Sequence, residues 1–305
     1  MKAFVIGATG FIGGAVARHL AEAGHVVSGL ARSEARAAQL RRSGINPVVG
    51  DLECTLGNVV SAATGVEVII FVPQVRPETE FRGVSALLSA LENTQKTFIF
   101  VSGTGVFLQR TGGAWSQDCF AEDDAFAIEP LAASRFEVEK LVRRAPSRGV
   151  RGVVLRPPLI WGPGDHGHVA LTYRSVALTG AACYIGEGLA AFTNVHIDDV
   201  VQLCVRALEV GESGALYHAV GGEIPNRWIA EAVAQDMQCE TRSVTSEEAT
   251  QIWGEFGSIV MGGSSRSRSP RSREQLGWTA KRTDMLTMIG EPRLRALAAR
   301  EAKDR

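Results

Sequence analysis

Met1-Lys2-Ala3-Phe4-Val5-Ile6-Gly7-Ala8-Thr9-Gly10-Phe11-Ile12-Gly13-Gly14 stands at the head of the chain. An apolar run with strand character leads straight into glycines at 7, 10 and 13, and residues 15–23 read as a helix. In such a strand, turn and helix, Gly7 turns the chain off the strand end and Gly10 lets backbone N–H groups come up against a pyrophosphate. Gly13 lets the helix lie close to the sheet, with its positive N-terminal end toward the anion. A second strand over 25–31 follows, as a dinucleotide fingerprint requires. The stretch predicts a dinucleotide site lined by Gly7, Thr9, Gly10, Phe11, Ile12 and Gly13.

Working outward, the alternation continues. A polar helix over 33–42 precedes a short strand at 47–50 that ends at Asp51-Leu52. A helix over 56–63 precedes a near-continuous apolar strand at 66–72, ended by Pro73. Helices over 81–91 and 131–144 and strands at 97–101 and 152–155 complete the pattern. Strands separated by single helices imply right-handed crossovers and a parallel, doubly wound α/β sheet, with ligands beyond the carboxyl ends of its strands. The segments expected to converge there are 7–13, Arg32, Pro73-Gln74, 102–104 and the loop after Leu155.

Composition points to a small-molecule partner. The 305 residues, 45% apolar and 21% charged, suffice for a sizeable core, and a net charge of −1 gives no reason to expect nucleic acid or an anionic membrane surface. Five scattered cysteines, odd in number and without a C-x-x-C pair or a metal-like cluster, read as reduced thiols and predict no metal site. With no signal-like leader and no run of about 18 apolar residues, the expectation is a cytoplasmic protein that does not span a membrane.

Three motifs carry a family resemblance. Gly7-x-x-Gly10-x-x-Gly13 with Thr9, the loop Arg156-Pro157 to Gly162-Pro163-Gly164-Asp165, and His196-Ile197-Asp198-Asp199 together resemble the extended short-chain dehydrogenase/reductase family. The matches cover about the first 220 residues, with a looser echo in Leu276-Gly277-Trp278. The resemblance implies a Rossmann-type domain over 1–160 and 195–220 and a smaller C-terminal substrate-binding lobe over 161–194 and 221–305. It also implies a homodimer paired through the helices at 81–91 and 131–144. The low-complexity run at 264–273, rich in serine and arginine, reads as a solvated or mobile cationic loop, with a site for an anionic substrate group as the alternative.

In NAD-binding relatives an acid closes the second strand, whereas here Ala31-Arg32-Ser33 offers a cation and a hydroxyl suited to a 2′-phosphate. NADP(H) is therefore favoured over NAD(H). Asp51 resembles the residue that touches the adenine, though an Asp there equally caps a helix. Leu52 and Pro73 complete the expected cofactor contacts, with Arg135 at the ribose.

The family's tyrosine and the lysine four residues later are missing. None of Tyr173, Tyr184 and Tyr217 has that lysine, and the helix places Leu131 where the tyrosine belongs and Arg135 where the lysine belongs. Leucine transfers no proton, and Arg135 stays protonated near pH 7. The usual hydroxyl position falls on Gly103, so Thr104 and Ser102 are its candidate substitutes. His166 is the leading proton-donor candidate, followed by His168, Asp165, Asp118, Glu122, Asp123 and Asp124. The expected function is an NADP(H)-dependent reductase or epimerase-like enzyme acting on a small organic substrate, secondary metabolites included. Enones or iminium compounds would be favoured over simple ketones. The alternatives are a non-redox isomerase, dehydratase or cyclase on the same fold, and a nucleotide-sensing regulatory protein.

Overall fold

The computed structural model of the chain describes residues 1–164 and 167–300. β1 (Lys2–Ile6) runs into α1 (Phe11–Glu22), and the alternation continues through β2 (Val26–Ala31), α2 (Glu34–Arg42), β3 (Asn46–Val49), α3 (Leu56–Thr64), β4 (Val68–Phe71), α4 (Pro77–Ala90) and β5 (Thr97–Val101). After a long loop come α5 (Ala133–Arg144), β6 (Arg151–Arg156), β7 (Leu159–Trp161), α6 (Gly167–Thr179), β8 (Ala182–Ile185), β9 (Ala191–His196), α7 (Ile197–Val210) and β10 (Leu216–His218). The rest comprises β11 (Gly222–Pro225), α8 (Asn226–Met237), β12 (Thr241–Val244), α9 (Ser246–Gly262), α10 (Pro270–Leu276) and α11 (Pro292–Arg300).

Among the described residues the large sheet has seven strands in the order β10-β6-β5-β4-β1-β2-β3, all parallel. Each strand sends alternate side chains to opposite faces. Ile99 and Val101 of β5 join the core under α1 and α7, while Phe98 and Phe100 join the core under α3, α4 and α5. Glycine sets how close α1 can come: a Cβ on Gly13 would lie 2.3 Å from the Gly7 carbonyl oxygen. Gly7 itself has φ +103°, a conformation open mainly to glycine.

The lobe is built on β11-β9-β7 and on the β12-β8 pair, with α6, α8, α9 and α11 around a core that includes Trp161, Tyr173, Ile229 and Leu294. Within 221–305 not everything packs there, because Leu276 and Trp278 lie in the core under α7 of the large sheet. The helix expected over 131–144 begins two residues later. Leu131 sits in a preceding single turn, Pro130–Ala132, where the Glu129 side chain accepts the Leu131 N–H.

The serine-arginine run at 264–273 overturns the solvated-loop expectation. Ser264, Ser265, Ser267, Ser269 and Ser272 are all buried. Arg266 pairs with Glu223, Arg268 with Asp124 and Arg271 with Asp123. Extended chain before α10 alternates the buried Ser265, Ser267 and Ser269 with the less buried Arg266 and Arg268, its backbone pairing with Gln109, Phe120 and Phe192, while Ser272 is buried on α10 itself. The hydroxyls of Ser265, Ser267 and Ser272 find partners in Thr104, Thr193 and the His218 carbonyl.

The carboxyl edge of the sheet is held by buried charge. Arg156, at the end of β6, meets Glu139 of α5 through both its Nε (3.1 Å) and its Nη2, with exposures of 2% and 1%. Its Nη1 donates to His218 Nε2 at 3.2 Å, and His218 Nδ1–H donates to the Arg268 carbonyl at 2.9 Å, which fixes a neutral imidazole. The guanidinium carbon also lies 5.3 Å from the Phe126 ring centroid and 5.7 Å from that of Phe107.

Gly13→Ala should destabilise the fold by roughly 1–3 kcal/mol through overpacking. Gly57→Ala, where a Cβ meets nothing within 4 Å, should be neutral or stabilising by up to about 1 kcal/mol, since alanine favours helix. Urea midpoints check both, and equal midpoints would refute the close approach. Burial pushes His218 down to about 3, with Arg156 adding to the shift, and burial pushes His168 down to about 4. Below the ordinary histidine value near 6.5 the unfolded chain takes up protons that the folded chain refuses. Their contribution is therefore full above that pH and is lost as pH falls from about 6.5 toward 4. Unfolding free energies measured from pH 7 to 4.5 should fall by roughly 1.4 kcal/mol per unit for each histidine, and His218→Gln should flatten the slope.

Candidate cofactor and active site

The loops at the carboxyl edge meet as expected from the order of strands. Val72 N–H bonds the Ile6 carbonyl at 2.9 Å, so the turn at Gly7 lies against Pro73. Ser102 N–H bonds the Leu155 carbonyl at 2.8 Å and Thr104 N–H bonds the Pro157 carbonyl at 3.0 Å, joining the ends of β5 and β6. Gly50 N–H bonds the Ala31 carbonyl at 3.0 Å, which brings Asp51 beside Arg32.

The residues present fit a dinucleotide. Gly10 is the N-cap of α1, no side chain caps that end, and its first turn holds no acid to repel an anion. A Cβ on Gly13 would strike the Gly7 carbonyl, so the cradle exists only because three glycines build it. Thr9, Phe11 and Ile12 belong to this same turn and first helical residues. Arg32 is exposed at the end of β2 and forms no ion pair among the described residues. Ser33 is the N-cap of α2 and accepts the Arg36 N–H at 3.3 Å. Asp51 accepts the N–H groups of Glu53 (2.8 Å) and Cys54 (2.6 Å), which holds its carboxyl below the usual range. Leu52 is buried and packs near Gly83 of α4, so its side chain belongs to the core.

On the reaction side, three residues have defined surroundings. Thr104 is buried, and Ser265 Oγ lies 2.9 Å from its hydroxyl and 3.0 Å from its carbonyl oxygen. Ser102 Oγ is buried with no partner among the described residues. Strand alternation puts Ser102 on the Phe100 face, and the Arg135 guanidinium lies 5.8 Å from the Phe100 ring centroid.

Arg135 is anchored to Glu80 of α4 at 2.5 Å, with side-chain exposures of 24% and 3%. Burial raises the Glu80 carboxyl, and Arg135 opposes that rise. Leu131 projects from the turn before α5 with 60% of its surface exposed.

The remaining proton-donor candidates divide. His166 and Asp165 lie outside the described residues. His168 is built into the lobe, its ring edge-on to Phe192 and its Nδ1 2.7 Å from Asn226 Oδ1. The carboxylates before α5 are spent on structure. Asp118 accepts from Gln109, Asp123 and Asp124 meet arginines, and buried Glu122 accepts from the backbone of Ser272 and His218. The three tyrosines lie elsewhere: Tyr173 bonds Asp236 in the lobe, Tyr217 meets Gln275, and Tyr184 of β8 lies under Arg227.

Sequence reasoning missed Glu80, Ser265 and Glu139. Glu80 sits in the first turn of α4, where an acid ordinarily answers the helix dipole. The serines carried a signal, since Ser-Arg alternation over 265–269 is the period of a half-buried strand.

Residues 3–220 match the model of the NAD dependent epimerase/dehydratase family. An uncharacterized protein of Schizosaccharomyces pombe is 35% identical over 94% of this chain and 97% of its own length. A 3-diazoavenalumate denitrifying reductase of a Streptomyces species is 25% identical over 91% of this chain and 95% of its own. Among solved structures, a dTDP-glucose 4,6-dehydratase of Streptomyces venezuelae with NAD bound has a TM-score of 0.76 at 20% identity, covering 96% of each chain. The glycine cradle, the parallel sheet and these matches agree: the chain is an oxidoreductase-type enzyme that belongs to the NAD dependent epimerase/dehydratase family.

Proposed function

We propose that this enzyme is an NADP(H)-dependent reductase whose substrate accepts a hydride without needing a proton in the same step. The observation that carries the reading is Leu131, an exposed apolar side chain where relatives of this fold hold their proton-donating tyrosine. Bound at the glycine cradle, the nicotinamide cofactor would supply the hydride.

The chain's own residues then bind and orient. Arg32 meets a 2′-phosphate with its planar fork, and the N-terminus of α2 behind Ser33 adds its dipole. Arg135, held by Glu80, presents a fixed cation to the ribose or to charge developing on the substrate. Ser102 and Thr104 offer hydroxyls at the end of β5. The proton arrives afterward from water or from His166. An enone or an already cationic acceptor suits such a site, whereas a simple ketone needs its oxygen protonated as the hydride arrives. The Streptomyces relative is named for a diazo substrate, in keeping with an acceptor other than a ketone. A homodimer through α4 and α5 belongs to the same reading, with Phe81 as an exposed apolar contact on α4.

NADPH carrying deuterium on its reactive carbon, offered with ketones, enones and iminium compounds, should label the enone or iminium products and leave ketones nearly unchanged. Label in no product would sink the redox reading, and fast ketone turnover would sink the mechanism. Arg32→Glu should weaken NADPH binding by roughly 10–100-fold, the worth of a charge-assisted contact, while sparing NADH. Equal binding of both cofactors by wild type and variant would refute the assigned preference.

A further inference from the structure

The loop after β3 is pinned from two sides. Asp51 Oδ1 accepts the N–H groups of Glu53 at 2.8 Å and Cys54 at 2.6 Å. Arg82 of α4 donates from Nη2 to the carbonyls of Leu52 at 3.1 Å and Glu53 at 3.2 Å. These bonds engage the same two peptide groups, Leu52–Glu53 and Glu53–Cys54. In a trans peptide the N–H and the carbonyl point in opposite directions, so a carboxylate on one side and a guanidinium on the other fix both planes between them.

The start of α4 also holds the loop by its side chain. Arg76, the N-cap of α4, meets the Glu53 carboxylate at 2.9 Å, and Thr79 Oγ donates to the same oxygen at 3.3 Å. Asp51 N–H donates to Thr55 Oγ at 2.7 Å, which closes the loop on itself.

The pinned carboxylate stands next to a cation with which it forms no ion pair. Gly50 N–H bonds the Ala31 carbonyl, which sets Asp51 beside Arg32, and the Arg32 charge adds to the backbone bonds in holding the Asp51 carboxyl below its usual range. Two charge-assisted hydrogen bonds outweigh an exposed ion pair, so Asp51 stays on its own loop.

We infer that Arg82 is a positioning residue for cofactor choice: by fixing the two peptides it keeps Asp51 occupied and leaves Arg32 open to a ribose 2′-phosphate. The inference rests on the NADP(H) reading of Arg32 and assigns that preference a determinant on α4. When Arg82 is removed the two peptides are free to turn, Asp51 loses its N–H partners, and its carboxylate takes Arg32 in competition with the phosphate. Specificity is a difference between two affinities. The loss therefore falls on NADP(H) and spares NAD(H), which brings no 2′-phosphate.

Calorimetric titration of the full chain with NADP⁺ and with NAD⁺ measures that difference, and no turnover occurs in it. Arg82→Met should lower the preference for NADP⁺ about three- to fivefold, the scale of an exposed ion pair, with the thermal transition unchanged. Adding Asp51→Asn to Arg82→Met should restore it, since an amide has no charge to offer Arg32. Adding Glu53→Gln instead removes a negative charge from the same loop but leaves Asp51 free, and should not restore it. This separates competition at Arg32 from the mere loss of a nearby cation. An unchanged preference in Arg82→Met, equal weakening of both cofactors, or a rescue by Glu53→Gln as full as that by Asp51→Asn would overturn the inference. If the wild type favours NADP⁺ and Arg82→Met favours it as strongly, this inference alone fails. A wild type that binds the two cofactors equally overturns the NADP(H) reading and this inference with it.

Discussion

The buried pair of Arg156 and Glu139 is the contact on which the site's geometry depends. Two charges taken out of water are tolerated only where geometry is good and every remaining donor is answered. Here the guanidinium is answered on all sides, by the carboxylate, by His218 and by two aromatic faces. The pair fastens α5 to the end of β6, and Glu139 stands one helical turn beyond Arg135 on the same helix face. The place of Arg135 over Phe100 therefore follows from a contact that touches no ligand.

The same network reaches the C-terminal part of the chain. His218 Nδ1–H donates to the Arg268 carbonyl, and the serines on either side of that residue are buried. Ser265 Oγ donates to the Thr104 hydroxyl at 2.9 Å, and Thr193 meets Ser267 at 2.8 Å. Residues distant in sequence thus fix the β5 loop, which accounts for a run of low complexity being among the more buried stretches of the molecule. Arg266, Arg268 and Arg271 each meet a carboxylate, while Ser265, Ser267 and Ser272 are hydrogen-bonded within.

The surroundings of Arg135 and Leu131 have their own logic. Arg135 brings a planar cation, and buried Glu80 accepts from it, so the group is directed by α4 as well as by its own helix. Leu131 leaves an exposed apolar side chain on the turn before α5, three residues after the exposed Ile128.

The sequence by itself determined the doubly wound sheet. Strand, turn and helix at Gly7, Gly10 and Gly13 are local events, and apolar runs separated by single helices permit few topologies. It gave Leu131 and Arg135 the places of the tyrosine and lysine only through the family resemblance, and the structure puts Leu131 in the turn before the helix that carries Arg135. Asp51 was legible only as a choice between adenine contact and helix cap, and the structure gives its Oδ1 to two backbone N–H groups. Tertiary structure alone decided that Glu80 meets Arg135 across 55 residues, that Ser265 meets Thr104 across 161, and that Arg156, Glu139 and His218 form one buried group. Such pairings depend on which helices pack side by side and which strands end together. A charged residue carries no local mark of whether its partner will be water or another chain segment, because burial is a property of the packed molecule.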